Sequence, residues 1–211
     1  GNTATVSTVM MEHFTVASEG SNLLSFNVLP TDLTLTNVVS EFEDNVSQII
    51  GQSVAAINNG DGNWMGSLIT IEPEDGYWID FYEEGVAMVA GYPLNPEMIY
   101  NIDCGWEGEC VSLISYSPNQ ITEISEAIPD DVEEYFEYII SAGVGVIQTE
   151  DEGWVGSLTH FIPGKGYWIG VSQSIEFSYV HEGLSRVAST DVQQIAMFPE
   201  EFPFTQHVQS N

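Results

Sequence analysis

The chain has 211 residues, enough for one sizeable core or two small ones, and 43% of them are hydrophobic, which excludes a disordered acidic tail. It carries 32 acidic residues against two bases, Lys165 and Arg186, for a formal net charge of −30. A surface this negative repels phosphates, so nucleic acid and basic-patch docking on anionic lipid are excluded; high ionic strength, divalent cations or a positively charged partner would relieve the self-repulsion.

Residues 1–20 open the chain as a strand-like arm. Even positions Ala4, Val6, Met10, Phe14 and Val16 are apolar and the odd ones mostly polar, the alternation of a half-buried strand. Such an arm must pair with something: the edge of its own domain's sheet, or the edge of a neighbouring subunit.

Two homologous units follow, at 21–94 and 110–183, joined by a linker at 95–109. Residues 66–79 read GSLITIEPEDGYWI and residues 156–169 read GSLTHFIPGKGYWI, ninety positions apart, and the offset holds without a gap over both units. Leu23 aligns with Leu113, Ile49 with Ile139, Trp64 with Trp154, Pro73 with Pro163 and Tyr77-Trp78-Ile79 with Tyr167-Trp168-Ile169.

Each unit reads as a short apolar strand (NLLSF or VSLISY), a helix, a second strand (VAAIN or VGVIQ), a loop leading to Trp64 or Trp154, and a PEDG or PGKG turn before a GYWI strand. The helix is predicted over TNVVSEFEDNVSQIIG, with Thr36 as N-cap, Val38, Val39, Phe42, Val46, Ile49 and Ile50 on one face, and Gly51 ending it. In the second unit it is predicted over PDDVEEYFEYIISAG, starting at Pro129 and ended by Gly143. In the turns, Pro73 and Pro163 preset one backbone angle, the closing glycine supplies a positive φ, and the residues between face solvent. Trp64, Trp78, Trp154 and Trp168 are expected to be structural anchors of the cores, with a sugar-stacking platform as the alternative. The fold class expected is α+β: two tandem small domains, each an antiparallel-rich sheet with one helix, an N-terminal β-arm and a C-terminal extension at 184–211.

The PGKGYWI string and the VSLISY strand before it resemble the tandem repeats of large secreted and surface proteins of environmental bacteria, and modules in structural proteins of marine phages. Their usual form is a GWNLIS-like strand, a helix, a tryptophan and then SLT…PGKGYWI. Here the opening GWN is replaced by Gly20-Ser21-Asn22 and by Glu109 to Ser112, and CGWEG stands just upstream of the second. The resemblance implies an extracellular or particle-surface role and no particular reaction.

Cys104 and Cys110 sit in CGWEGEC, where Gly105 and Gly108 permit a tight turn. A disulfide suits an oxidising compartment, with free thiols as the alternative; histidines near enough for a zinc site are lacking. The acidic loops NNGDGN and TEDEG offer oxygens to calcium, with Asp61, Asn63, Asp151 and Glu152 as candidate ligands, although neither loop has EF-hand spacing and loose counter-ion condensation would serve as well. No other cofactor is implied.

His13, His160, His181 and His207 stand apart from one another, and His160 falls where the first unit has Thr70. Ser67 and Ser157 lack the flanks of a nucleophile elbow. The acidic pairs Glu83-Glu84 and Glu133-Glu134 read as solvated faces, and no run of apolar residues reaches transmembrane length. No signal-peptide pattern is visible, and the chain begins at Gly1. The function expected is a non-enzymatic extracellular, cell-surface or virion structural protein that assembles with itself or with other subunits into a filament, surface layer or capsid. The alternative is a carbohydrate-binding module that uses exposed aromatics.

Overall fold

The computed structural model describes residues 11–60, 62–105 and 108–181, all within one compact unit; the first ten residues of the arm, Asp61 and the C-terminal extension at 184–211 lie outside them. The chain order is β1 (Met11–Ala17), β2 (Gly20–Leu24), β3 (Val28–Leu29), α1 (Leu35–Val38), β4 (Val46–Gly51), β5 (Val54–Asn58), β6 (Trp64–Gly66), β7 (Tyr77–Phe81) and β8 (Gly85–Pro93). The second half runs β9 (Tyr100–Ile102), β10 (Val111–Ile114), β11 (Thr122–Glu123), α2 (Ile124–Ala127), β12 (Phe136–Ser141), β13 (Val144–Thr149), β14 (Gly153–Gly156), β15 (His160–Phe161), β16 (Tyr167–Val171) and β17 (Ile175–Phe177).

The two halves share one topology. A five-stranded antiparallel sheet of order β2-β7-β4-β5-β6 is matched by one of order β10-β16-β12-β13-β14. Small strand pairs accompany them: β8 takes β1 and β3, and β17 takes β9. The described part of the arm, β1, therefore pairs with β8 of its own chain, from Met11 opposite Gly91 to Ala17 opposite Gly85.

The expected α+β class is overturned, because the described residues are mostly strand and the only α-helices among them are single turns of four residues, α1 and α2. The predicted helix at 36–51 divides into α1, a 3₁₀ turn at Glu43–Asn45 and β4. Thr36 is inside α1 and caps nothing; Thr34 precedes the turn without a side-chain capping bond. Pro129 follows α2, and the rest of the second predicted helix is a 3₁₀ turn at Glu133–Tyr135 and then β12.

A β-bulge explains the false helical signal. Val46 lies opposite Phe81 while Gln48 lies opposite Asp80, so one extra residue enters β4 and both Val46 and Ile49 face inward, fully buried. The same shift between Phe136 and Tyr138 brings Phe136 and Ile139 inward. A bulge converts the two-residue period of a strand into a spacing of three, which mimics a helix face.

Each half encloses its own core. The first is mainly aliphatic, built on Leu24, Leu35, Val38, Ile49, Ile71 and Ile79 with Phe26, Phe42, Tyr77 and Phe81. The second replaces aliphatic positions with rings: Phe161 stands where the first has Ile71, Phe177 for Ala87 and Tyr179 for Val89. These pack mostly edge to face, with Tyr179 within 5.2 Å, centroid to centroid, of Tyr100, Tyr116, Phe161 and Phe177. One scaffold thus accommodates an aliphatic core in one half and a ring-rich core in the other.

Candidate functional site

The repeated string is an inter-unit clasp. Each five-stranded sheet begins with a strand whose outer edge is met by the turn of the other half. In the first clasp Ser25 N–H donates to Gly164 O (3.0 Å), Gly166 N–H to Leu23 O (3.2 Å) and the Ser25 hydroxyl to Lys165 O (2.6 Å). In the second, Ser115 N–H donates to Glu74 O (2.8 Å), Gly76 N–H to Leu113 O (3.1 Å) and the Ser115 hydroxyl to Pro73 O (2.8 Å). The two backbone bonds join equivalent positions reciprocally, while each serine hydroxyl reaches a different carbonyl of its turn, Lys165 in one clasp and Pro73 in the other; the halves thus dock about an approximate two-fold relation that closes on itself.

This places the letters of the string. Gly76 and Gly166 are not at positive φ; glycine serves there because a Cβ would press on Leu113 Cδ1 and Ile114 O at 3.0 Å, or on Leu24 O at 2.9 Å and Leu23 Cδ1 at 3.1 Å. The positive φ, 80°, belongs to Gly164, the third residue of the turn 162–165 that Lys165 N–H closes on Ile162 O at 3.2 Å, as a type II turn requires. The intervening residues do not simply face solvent: Asp75 and Lys165 are half-buried against the opposite strand. Burial, with Glu74 and Glu72 alongside, pushes the Asp75 carboxyl up to about 6, and burial pulls the Lys165 ammonium below its usual range.

Tyr77 and Tyr167 are fully buried, and each hydroxyl accepts the N–H of the residue before the turn proline, Glu72 N at 2.8 Å and Ile162 N at 2.7 Å. Burial raises both phenols far above their ordinary range. Pro73 and Pro163 are thereby held in place by the tyrosine that follows four residues on.

GSL has an equally local use. A Cβ on Gly66 or Gly156 would collide with the carbonyl of Ala55 or Gly145, and that carbonyl accepts both the serine and leucine N–H groups, at 2.8 and 3.0 Å or 2.8 and 3.1 Å. The hydroxyls of Ser67 and Ser157 accept from Ala55 N and Gly145 N, at 3.2 and 3.3 Å, so both serines bond within their own strand turn.

Trp64 and Trp154 are half-buried and pack against their cores, and their indole N–H groups donate to Glu43 Oε2 at 3.1 Å and Glu133 Oε1 at 2.6 Å. Glu43 and Glu133 are themselves ninety residues apart, a repeated pair that inspection of the string alone passes over. Trp78 and Trp168 lie on the other side of the sheet from Tyr77 and Tyr167 and are half-buried.

Cys104 and Cys110 are at disulfide distance and close the loop between β9 and β10. That connection, 103–110, replaces the two residues 18–19 that join β1 to β2. Of the calcium candidates, Asn63, Asp151 and Glu152 are exposed, and Asp61 lies outside the described residues. Among the described residues no group of three His, Cys, Asp or Glu side chains is arranged to hold a metal.

The described histidines stay apart. His13 reaches the Thr15 hydroxyl at 3.0 Å beside Gly164, and burial pulls its imidazole down. His160 approaches Glu123 at 3.9 Å, and His207 lies outside the described residues.

Among the described residues no helix is long and apolar enough to cross a membrane. Compared with known proteins, the chain matches no family model, no curated protein and no solved structure.

Proposed function

We propose that this is a non-enzymatic extracellular structural protein, of a cell surface or a virion, that assembles into or decorates a larger object. The observation that carries this reading is the clasp: the letters that persist between the halves make docking bonds, hold turns or seat strands. The clasp uses one edge of each five-stranded sheet. The other edges, β6 and β14, have no partner strand among the described residues. Beside them lie exposed apolar side chains, Ile57 and Met65 in the first half and Ile147 and Val155 in the second. Open edges next to apolar faces are surfaces for stacking copies or covering a particle. Pairing of β1 within the chain makes these edges, and not the arm at 11–17, the contacts to examine.

The test is electron microscopy and sedimentation of the whole protein across ionic strength, with and without calcium. Ordered multimers that grow as salt screens the charge are expected; a monomer under every condition would remove the assembly reading. The alternative, glycan adhesion, draws support from a groove other than the Trp64 and Trp154 neighbourhoods, one that holds Tyr138 and Trp168.

A further inference from the structure

The second half carries a groove whose key positions are filled differently in the first. It has a volume of about 780 Å³ and is lined by Tyr138 of β12, Trp168 of β16, Asp103 and Glu109 of the disulfide loop, and Gln52 from the β4–β5 turn of the other half. The Tyr138 ring lies over Gly170, so closely that a Cβ on that glycine would overlap the ring atoms Cε1 and Cζ. One side of the ring is therefore seated on the sheet. Tyr138 also borders an apolar depression of about 460 Å³ shared with Ile140, Ile147 and Val155.

The first half fills the matching positions with a polar network. Gln48 stands for Tyr138 and Asp80 for Gly170; the Asp80 carboxylate accepts from the Gln48 amide and from the Ser21 hydroxyl. Ala142 stands where the first half has Gln52. The longer β9–β10 connection adds Asp103 and Glu109 on one side only. Gln52 fixes the wall, since its amide donates to Val111 O and accepts from Leu113 N–H, both at 2.9 Å.

We propose that this groove binds a neutral pyranose sugar; the proposal rests on the glycan-adhesion reading and is independent of assembly. An aromatic ring held against a sheet presents a rigid apolar surface to the C–H face of a pyranose, and carboxylates at the rim accept its hydroxyl protons. Anionic sugars are disfavoured by Asp103, Glu109 and the net charge of −30. A simple cation is attracted over much of so acidic a surface, so charge alone would not select this groove, whereas the seated ring does.

The test is titration calorimetry of the whole oxidised protein against neutral tetrasaccharides of glucose, galactose, mannose and N-acetylglucosamine, with a sulfated tetrasaccharide and tetralysine as controls. The decisive variant is Tyr138→Gln with Gly170→Asp, which installs the pair that the first half already accommodates. A second, surface-only variant, Asp103→Asn with Glu109→Gln, removes the rim charges should the first fail to fold. At least one neutral sugar should bind, weakened about tenfold or more by the first variant and several-fold by the second, with Trp64→Phe unchanged. Absence of any neutral-sugar binding would overturn both the adhesion reading and this site. Binding that both groove variants retain would leave adhesion standing and overturn the groove. Tetralysine binding that depends on Tyr138 while no sugar binds would overturn the sugar assignment.

Discussion

The two clasps share two backbone bonds between equivalent positions, plus a serine hydroxyl bond that reaches a different carbonyl in each turn. PEDG sets Asp75 against the Ile114 edge; PGKG sets Lys165, the single lysine, against the Leu24 edge. One brings a carboxylate beside Glu72 and Glu74, the other an ammonium, and the turns differ as well, since Gly164 has a φ of 80° and Glu74 is not at positive φ. Their supports also differ. Gly164 packs under His13 and Thr15 of β1, where an added Cβ would stand 2.7 and 2.6 Å from their side chains. The other clasp is buttressed by the Tyr100 hydroxyl, 2.9 Å from that of Ser115. What the clasps share is backbone approach, a serine and a glycine. Docking is therefore specified by those elements, and the side chains at the turn tip are free to change sign.

The strongest way to break that equivalence is to fill the glycine. Gly76→Val and Gly166→Val each push a branched side chain against an opposing strand, and at neither position does backbone conformation demand glycine, so contact alone sets the cost. Each is expected to cost about 3 kcal/mol in chemical denaturation, the upper range for overpacking. Near-equal losses support a symmetric clasp. A large loss at one and none at the other would show that a single clasp holds the halves together.

Serine removal sharpens the comparison. Ser115→Ala strips the Pro73 carbonyl of a donor and the buried Tyr100 hydroxyl of one of its two partners, and is expected to cost about 2 kcal/mol. Ser25→Ala removes only the bond to Lys165 O and is expected to cost about 1 kcal/mol. The difference should vanish in a Tyr100→Phe background, because that hydroxyl is the extra partner. If it persists there, the asymmetry lies elsewhere.

How much of this was legible in the sequence depends on the kind of signal. The duplication and the strands at 54–58, 77–81, 144–149 and 167–171 follow from alignment and alternation, because those strands keep their period. The helix at 36–51 does not survive, because its i, i+3 spacing arises from the bulge between Val46 and Gln48, a pairing feature a single sequence does not display. Nor does the string announce its role. A glycine required for close approach to another unit and one required for a tight turn are written with the same letter. Ser25 with Ser115, and Glu43 with Glu133, could have been found by asking which polar residues persist at the offset of ninety. Tyr138 on Gly170 could not be found that way, since the site consists of positions where the halves differ.

Asp75 gives the finest contrast between the clasps. Its carboxyl is raised to about 6 in the fold by burial and by Glu74 and Glu72, against 3.8 ordinarily, so the folded state holds its proton more tightly than the unfolded chain does. The stabilising contribution is complete below about pH 4 and is lost as pH rises through about 6. At pH 7 to 8 the ionised group opposes docking, and Asp75→Asn should stabilise the protein there. A shift of this size would correspond to about 3 kcal/mol in full burial; the residue keeps some contact with water and salt screens its acidic neighbours, so a gain of up to about 1 kcal/mol is expected. Denaturation midpoints of the wild type and variant at pH 4 and pH 8 provide the measurement, with convergence at the lower pH and the gain at the higher. Lys165→Gln, the control from the opposite clasp, should not reproduce a gain confined to pH 8: burial pulls its ammonium down, so any relief from removing it is at least as large at pH 4. A gain for Asp75→Asn that is equal at both pH values would remove the electrostatic account and leave only packing of the amide.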